Sequence, residues 1–492
     1  MITLVNISSA ENMFAPPLGI LYVGSALKRA GFEVELLHFT PDEINRRAWE
    51  IAGKNPLFIG ISAFTCNQTK FSAQISRELK KICDSPIVWG GVHASMVPEQ
   101  TLREPYVDMV VIGEGEETAI ELADAMENGK ELQHVKGIGF KRDGETVFTG
   151  PRPLIKDLDD YKPDWDLIDI RKYLVPMWNQ KKVINFITSR GCPHKCGFCY
   201  SLKFSGGRWR AHSKEYVISE IQRLKDQYGV DGIRFYDDNF FANKKRAVEI
   251  LEAIDLPWEG QIRIGYVTDE LAQKLRDTKC RGLCFGLESG NNRILDLMQK
   301  DQSIDDVRKG VAILAKYPEI LVANCVILGS PTETKDEIRN TINFCLELQE
   351  IHPRLTFVLG TYMPYPGVDL YDLVLEAGFK PPERTEDWET INRMNEKMEV
   401  SWLPWVTEKE TRNFIRAGKY ARLLPLGNLR IPLINRIAHW RLANYNFALP
   451  VELRPLNWVN DKFSDRSSRT GRAIRKILPL LRSRGSSIKP GT

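Results

Sequence analysis

The stretch Ser189-Arg-Gly-Cys-Pro-His-Lys-Cys-Gly-Phe-Cys-Tyr200 decides how this sequence is interpreted. It places Cys192, Cys196 and Cys199 within eight residues, at the spacing Cys-x3-Cys-x2-Cys. Thiolates are soft ligands that favour zinc or iron–sulfur clusters. Zinc and ordinary ferredoxin clusters take four protein ligands, and no fourth Cys or His follows at a short repeat spacing. The triad therefore predicts a cluster with one iron left open for another ligand.

Two other interpretations of the cysteines stay open from the residues alone. One is a zinc knuckle in which His194 supplies the fourth ligand. The other is three unrelated thiols in a hydrophobic core. The cluster is favoured over both because the loop directly follows a strand-like run, Val183 to Thr188, and because this spacing rarely arises by accident.

The first part of the chain, from Ile2 to Met126, alternates short apolar runs with helical patterns. Such alternation indicates a parallel sheet with helices on both faces. We predict an α/β fold in which residues 1–150 form a Rossmann-like domain. Asp143-Gly144 between two apolar runs predicts a hairpin. Residues 151–182 are predicted to be a linker because their first part is rich in Pro and Asp and lacks a period.

A second series of strand–helix units begins at Val183 and predicts a partial (β/α)6 barrel over residues 183–375. In such barrels the chemistry lies at the C-terminal ends of the strands, and the cysteine loop follows the first strand. Residues 376–492 predict a mostly helical region that ends in a basic tail, Arg466 to Lys489. A solvated tail is favoured over contact with anionic lipid. The predicted barrel strands are 183–188, 232–236, 261–266, 282–286, 321–328 and 356–361.

Composition excludes little but sets the broad class. With 492 residues the chain is too long for one core, and its net charge of +4 gives no indication of a nucleic-acid partner. Nine cysteines without a secretory signal peptide favour a reducing compartment, so we expect a cytoplasmic protein. No apolar stretch approaches the roughly twenty residues that span a bilayer.

Two strand ends in the first domain resemble two thirds of a cobalamin-binding signature. Ser62 follows one strand, and Gly90-Gly91 ends another; backbone without Cβ atoms can close on a bulky ligand there. Gly113 and Gly115 form a turn before a helix, where a phosphate group can bind, although the acids that alternate with them do not favour that role.

The third element of that signature, Asp-x-His-x-x-Gly, is missing, and Asn6-Ile-Ser-Ser-Ala-Glu11 stands in its place. If cobalamin binds, we therefore expect it without its own base and without a protein histidine below the cobalt.

Taken together, the motifs resemble the cobalamin-binding-domain radical S-adenosylmethionine (SAM) family over residues 1–370. The resemblance implies that the three cysteines hold a [4Fe–4S] cluster whose open iron binds SAM. It assigns contacts with SAM to an aromatic residue of the cysteine loop and to residues at barrel strand ends. These residues are Phe198, Tyr236, Asp237, Asp238, Glu288, Ser289 and Gly329.

The reaction implied by the resemblance begins when the cluster, supplied by an external electron donor, cleaves SAM to a 5′-deoxyadenosyl radical. Cobalamin then methylates an unactivated carbon of a small-molecule or lipid substrate. Two alternatives stay open. One is a radical SAM cyclisation, ring contraction or carbon–carbon coupling with a structural or substrate-binding first domain. The other is a non-catalytic cobalamin or cluster sensor.

Overall fold

The described part of the chain folds into two α/β units followed by three helices. This confirms the predicted fold class: a Rossmann-like domain, a partial barrel and a mostly helical C-terminal region. The predicted basic tail, Arg466 to Lys489, lies outside the described residues. The structure, a computed structural model, describes residues 1–10, 12–65, 67–391, 402–424, 432–448, 450 and 453.

The first unit contains seven strands and six helices. Its strands are β1 (Ile2–Ile7), β2 (Val34–Phe39), β3 (Ile59–Ser62), β4 (Ile87–Gly90), β5 (Met109–Val111), β6 (Ile138–Arg142) and β7 (Glu145–Phe148). Its helices are α1 (Leu18–Arg29), α2 (Ile44–Ala52), α3 (Asn67–Lys80), α4 (Val92–Met96), α5 (Pro98–Arg103) and α6 (Glu116–Glu127).

The first sheet has the strand order β2-β1-β3-β4-β5-β6-β7, in which the first five strands are parallel. Neighbouring residues Leu4 and Val5 belong to different hydrophobic clusters on opposite faces, so the sheet is buried on both sides as parallel sheets are. The predicted hairpin is confirmed as β6–β7. Asp143 and Gly144 both have positive φ, 51° and 83°, as a type I′ turn requires.

The second unit is built on a sheet with the order β16-β15-β14-β13-β12-β9-β8. Its strands, with the small antiparallel pair β10–β11, are β8 (Val175–Met177), β9 (Gln180–Phe186), β10 (Ser189–Arg190), β11 (Arg210–Ala211), β12 (Gly232–Phe235), β13 (Trp258–Gln261), β14 (Cys280–Glu288), β15 (Leu321–Leu328) and β16 (Leu355–Thr361). Its helices are α7 (Tyr200–Ser205), α8 (Lys214–Tyr228), α9 (Lys244–Ile254), α10 (Asp269–Asp277), α11 (Asn292–Leu297), α12 (Ile304–Leu314) and α13 (Lys335–Ile351).

Six parallel strands, β9 and β12 to β16, form the partial barrel, and β8 adds an antiparallel edge. Two segments differ from the sequence prediction. β8 and the start of β9 fall within residues 151–182, which had been predicted to be a linker. The strand predicted at 261–266 lies earlier, at Trp258–Gln261, because the fully buried Trp258 ring packs against Phe240 and Phe241.

The C-terminal region packs on the outer strand of the barrel. Its helices are α14 (Tyr371–Glu376), α15 (Glu408–Leu423) and α16 (Pro432–Ala443). α15 contacts β16, and α16 contacts α13. Two indole groups anchor the region: Trp402 donates to the Tyr362 carbonyl at 3.2 Å, and Trp405 donates to the Gly329 carbonyl at 3.1 Å. Within the described ranges, every helix is too short or too polar to cross a bilayer.

Candidate active site

A cavity of about 540 Å³ lies between the C-terminal ends of the first sheet and the start of the barrel. This volume is within the range of cofactor sites. The structure brings seven of the predicted site residues, from both units, to its wall. They are Ser62, Gly90, Gly91, Gly113, Gly115, Tyr236 and Asp238.

Backbone conformation explains why glycines occupy the mouth of this cavity. Gly91 has φ 93°, and a Cβ atom added there would lie 2.9 Å from the Ala63 carbonyl oxygen. Gly113 has φ 85° and open space where a Cβ would stand. L-residues rarely adopt this conformation. The strand ends therefore keep a close backbone surface available to a large ligand.

The deeper part of the cavity is apolar. Leu4, Phe58, Val88 and Leu122 line it, and they belong to the hydrophobic cluster between the sheet and helices α1 and α6. An apolar slot behind a glycine-lined mouth fits the nucleotide tail and ring of cobalamin, which need a dry cleft and close backbone. The residues present therefore fit cobalamin.

The cysteine loop lies beside this cavity, with Gly191, Tyr200 and Ser201 in its wall. A hydrogen bond fixes the middle of the loop, where the Gly197 amide donates to the Met298 carbonyl at 2.9 Å.

The three thiols of the loop are partly buried. Burial raises the pKa of Cys199 to about 12 and also raises that of Cys192. The Asn239 amide lies 3.6 Å from the Cys192 sulfur. Metal binding displaces thiol protons, so this donor set of three thiols fits an iron–sulfur cluster.

His194, the zinc-ligand alternative, contacts a different partner. Its Nε2 atom lies 2.6 Å from the Tyr266 hydroxyl oxygen. Among the residues that the structure describes, no three Cys, His, Asp or Glu side chains are grouped to hold a single metal ion.

The two neighbouring acids after β12 have different surroundings. Asp238 lines the cavity and accepts from the Gly191 amide at 3.1 Å and the Ser201 hydroxyl at 2.9 Å. It therefore ties the residues on both sides of the cysteine triad. Asp237 is 1% exposed and does not line the cavity. The structure thus brings Asp238, and not Asp237, to the site.

Asp237 instead braces the start of the cysteine loop. It accepts hydrogen bonds from the Thr188 hydroxyl at 2.8 Å, from the Thr188 amide and from the Ser189 hydroxyl. Burial raises its pKa to about 6, and these hydrogen bonds only partly offset that effect.

An ion-pair network, not predicted from the sequence, joins the two units at the cavity. Arg190 contacts Glu114 at 2.9 Å and Glu116 at 2.6 Å, and Arg210 contacts Glu114 at 2.7 Å. Burial lowers the pKa of Arg190, but the charges of Glu116 and Glu114 outweigh it and raise that pKa. The acids of the glycine turn therefore bind arginines of the barrel. No local pattern in the sequence signals these pairings.

The remaining predicted residues lie outside the cavity wall. Glu288, with φ 61°, forms a buried ion pair of 2.7 Å with Lys300, which the sequence analysis missed. The Lys300 ammonium lies 5.7 Å from the centre of the Phe198 ring. Ser289 is fully buried and hydrogen-bonded to Thr341. Gly329 meets the C-terminal region, where an added Cβ would lie 3.2 Å from Leu403.

Comparison with known proteins agrees with the division of the chain into two α/β units. The Radical SAM superfamily profile matches residues 186–345, and the B12 binding domain profile matches residues 7–123. An uncharacterized methyltransferase of Pyrococcus horikoshii is 34% identical over 374 residues, covering 73% of this chain and 78% of that protein. An anaerobic magnesium-protoporphyrin IX monomethyl ester cyclase of Synechocystis sp. is 31% identical over 342 residues, covering 66% of this chain and 67% of that protein.

A solved structure shares the architecture. The radical S-adenosylmethionine methyltransferase TsrM from Kitasatospora setae, solved with tryptophan substrate and a SAM analog, superposes with a TM-score of 0.67. The superposition covers 90% of this chain and 97% of that chain at 18% identity. At this identity the likeness shows the fold alone.

Proposed function

We propose a methyl-transfer reaction for this chain, which belongs to the cobalamin-binding-domain radical SAM family. The cofactors of this family are a [4Fe–4S] cluster, SAM and cobalamin. One observation carries the proposal: the glycine-lined strand ends of the first unit and the residues beside the cysteine triad form a single cavity. A methyl donor and a radical source held in one cavity can act on the same substrate carbon.

Each cofactor has residues suited to hold it. Cys192, Cys196 and Cys199 would hold the cluster, while the Ser62 and glycine strand ends would hold cobalamin. When bound, the cluster and SAM supply a carbon radical that removes hydrogen, and cobalamin supplies the methyl group. We propose residues 1–150 for cobalamin, 183–375 for the cluster and SAM, with 151–182 as the connection, and 376–492 as a helical C-terminal region with a basic tail.

For SAM, we propose contacts on the barrel side of the cavity. Tyr236 and Asp238 stand in its wall, and a carboxylate suits the ammonium group of SAM. Phe198 offers an aromatic face for adenine, and Lys300 beside it offers a cation for the SAM carboxylate. Glu288 holds that lysine in place.

The remaining predicted residues hold in place the loop and strand ends that carry these contacts. We propose that Asp237 fixes the start of the cysteine loop through Thr188. Ser289 fixes the end of β14 through Thr341, and Gly329 joins β15 to the C-terminal region.

We also propose that cobalamin binds without a protein imidazole below the cobalt. Among the described residues that line the cavity, none is a histidine. The loop after β1 carries Ser8, whose hydroxyl lies 3.0 Å from Nε2 of His38, and the other nitrogen of His38 lies 2.9 Å from the Tyr173 hydroxyl. Both nitrogens of this nearby ring are thus engaged by protein groups.

The external partners are proposed from chemistry. The cluster needs an external electron donor, and the apolar cavity suits a small-molecule or lipid substrate. None of the eight described cysteines is in a disulfide, which supports a cytoplasmic location because disulfides are rare in reducing compartments.

A second candidate is cyclisation, since a relative at 31% identity is a cyclase.

The test is anaerobic incubation of the reconstituted protein with reductant, methyl-deuterated SAM and cell-extract lipids and metabolites. Methyl transfer predicts both 5′-deoxyadenosine and S-adenosylhomocysteine, with label in a product. Cyclisation predicts 5′-deoxyadenosine without S-adenosylhomocysteine. Bound cofactors without either product would identify a sensor, and Cys196→Ala should abolish 5′-deoxyadenosine.

A further inference from the structure

The last part of the C-terminal region, residues 402–492, carries a positive charge that the rest of the chain lacks. Residues 402–492 contain 18 Lys and Arg against 5 Asp and Glu, whereas residues 1–401 contain 50 against 59. The net charge of +4 for the whole chain therefore combines a basic region of +13 with a body of −9. A charge separation of this size points to a negatively charged partner for the C-terminal region.

The described part of this region displays basic and aromatic side chains together. On α16, Arg436, His439 and Trp440 are exposed, and Trp440 is 51% exposed. Arg436 and Trp440 are one turn apart and share a helix face. α15 adds exposed Arg412 and Arg422. We name these five side chains the basic–aromatic surface.

The opposite side of the same helices is used for folding. Phe414 and Tyr420 on α15 are fully buried, as are Ala438 and Leu442 on α16. α15 and α16 pack on each other and on the barrel through β16 and α13. The basic–aromatic surface is therefore held on a packed support, with its exposed side chains facing away from the core.

We propose that the basic–aromatic surface docks the enzyme on an anionic lipid membrane. Arginine attracts anionic headgroups, and tryptophan is the residue that inserts at the level of the headgroups. Nucleic acid would also attract the charge, and single strands can stack bases on an exposed indole, so it is the apolar residues of the basic tail that favour lipid. Apolar side chains are also interspersed among the basic residues of the tail, as in lipid-binding segments. They are Ile474, Ile477, Leu478, Leu480 and Leu481.

The test is vesicle sedimentation of the full-length holoprotein. Vesicles of phosphatidylcholine alone are compared with vesicles that contain equal phosphatidylcholine and phosphatidylglycerol. We expect binding to the anionic vesicles only, weakened by added salt. Each basic residue near such a surface contributes about five-fold to partitioning, so Arg412→Gln/Arg422→Gln/Arg436→Gln should weaken binding about a hundred-fold.

Matched variants separate this surface from general charge and hydrophobicity. Arg103→Gln/Arg171→Gln/Arg339→Gln removes three exposed arginines outside the C-terminal region and should leave vesicle binding unchanged.

Trp440→Ala should weaken vesicle binding, whereas Trp49→Ala should not, although Trp49 on α2 is 69% exposed. Brominated lipids should quench wild-type fluorescence more than that of Trp440→Phe, which tests contact without any large change in folding.

Three results would overturn the proposal. The first is equal binding to neutral and anionic vesicles, and the second is equal vesicle binding by the two triple arginine variants. The third is a protein that does not bind vesicles but retains double-stranded DNA or RNA, with that retention lost in the 412/422/436 variant. The last result would assign the surface to nucleic acid. None of these readouts needs SAM cleavage, so their failure is distinguishable from failure of the methyl-transfer proposal.

Discussion

The guanidinium group of Arg190 lies 2.6 Å from the carboxylate of Glu116, and this contact joins the two cofactor-binding units. Glu116 is the first residue of α6, directly after the glycine turn, and Arg190 stands two residues before Cys192. Both carboxylates bound by Arg190 are about 5% exposed. The loop proposed to hold cobalamin and the loop proposed to hold the cluster therefore share one buried ion pair.

Removing Arg190 should weaken both stability and cobalamin retention. Arg190→Gln leaves buried Glu116 without its cation, which costs about 3 kcal/mol. The measurements are the free energy of unfolding and the cobalt content per chain. Lys28→Gln is the matched control, because its 2.7 Å pair with Asp164 also joins the first unit to the following segment but is exposed. The free energy of unfolding of Lys28→Gln should fall by less than ~1 kcal/mol. Equal losses in the two variants would contradict this prediction.

Bulk at Gly91 should abolish cobalamin binding while the cluster still forms. In Gly91→Ala the new Cβ would meet the Ala63 carbonyl oxygen at 2.9 Å, at φ 93°. Gly31→Ala is the control, since Gly31 has φ 95° but open space around its Cβ position. It also places an L-residue at positive φ, at a cost of about 1 kcal/mol, but without the clash. Iron and cobalt counts distinguish the two variants, and full cobalt in Gly91→Ala would refute the proposed slot.

The buried carboxyl group of Asp237 should make the free energy of unfolding depend on pH. Its pKa rises from 3.8 to about 6 on folding because the carboxylate is buried. The folded state therefore binds the proton more tightly, so this contribution to stability is full below pH 3.8 and is lost as pH rises through about 6. The whole change is ~3 kcal/mol at most.

The test compares wild type with Asp237→Asn across that pH range under anaerobic chemical denaturation. The unfolding free energy of the wild type should fall relative to the variant as pH rises. A constant difference between the two proteins would show that folding does not change the proton affinity of Asp237.

The electron paramagnetic resonance spectrum of bound cob(II)alamin should lack nitrogen coupling from below the cobalt. His38 is the control position, because burial lowers its pKa to about 4 and leaves a neutral ring that can bind metal. His38→Ala should leave the spectrum unchanged. Nitrogen coupling that disappears in His38→Ala would identify a ligand that the proposed site lacks.

Local patterns were predictable from the sequence, whereas long-range pairings were not. The Cys192 loop and the Gly90-Gly91 strand end are read from consecutive residues, and the structure places both at one cavity edge. The contact between Arg190 and Glu116 joins residues 74 positions apart, and no local pattern signals it.

The choice between Asp237 and Asp238 depended on where β12 ends. The strand ends at Phe235, and the chain then turns Asp238 to the cavity and buries Asp237. The strand at Trp258 was misplaced because burial of its ring among other aromatic residues outweighed the alternating pattern of the residues that follow.

The most direct test of the central claim is metal analysis after anaerobic reconstitution with iron, sulfide and cobalamin, followed by a reductant-plus-SAM assay. We expect one cobalamin and one [4Fe–4S] cluster per chain, with formation of 5′-deoxyadenosine. A protein that forms the cluster and cleaves SAM but retains no cobalt would contradict the proposal that cobalamin binds in the cavity beside the cluster.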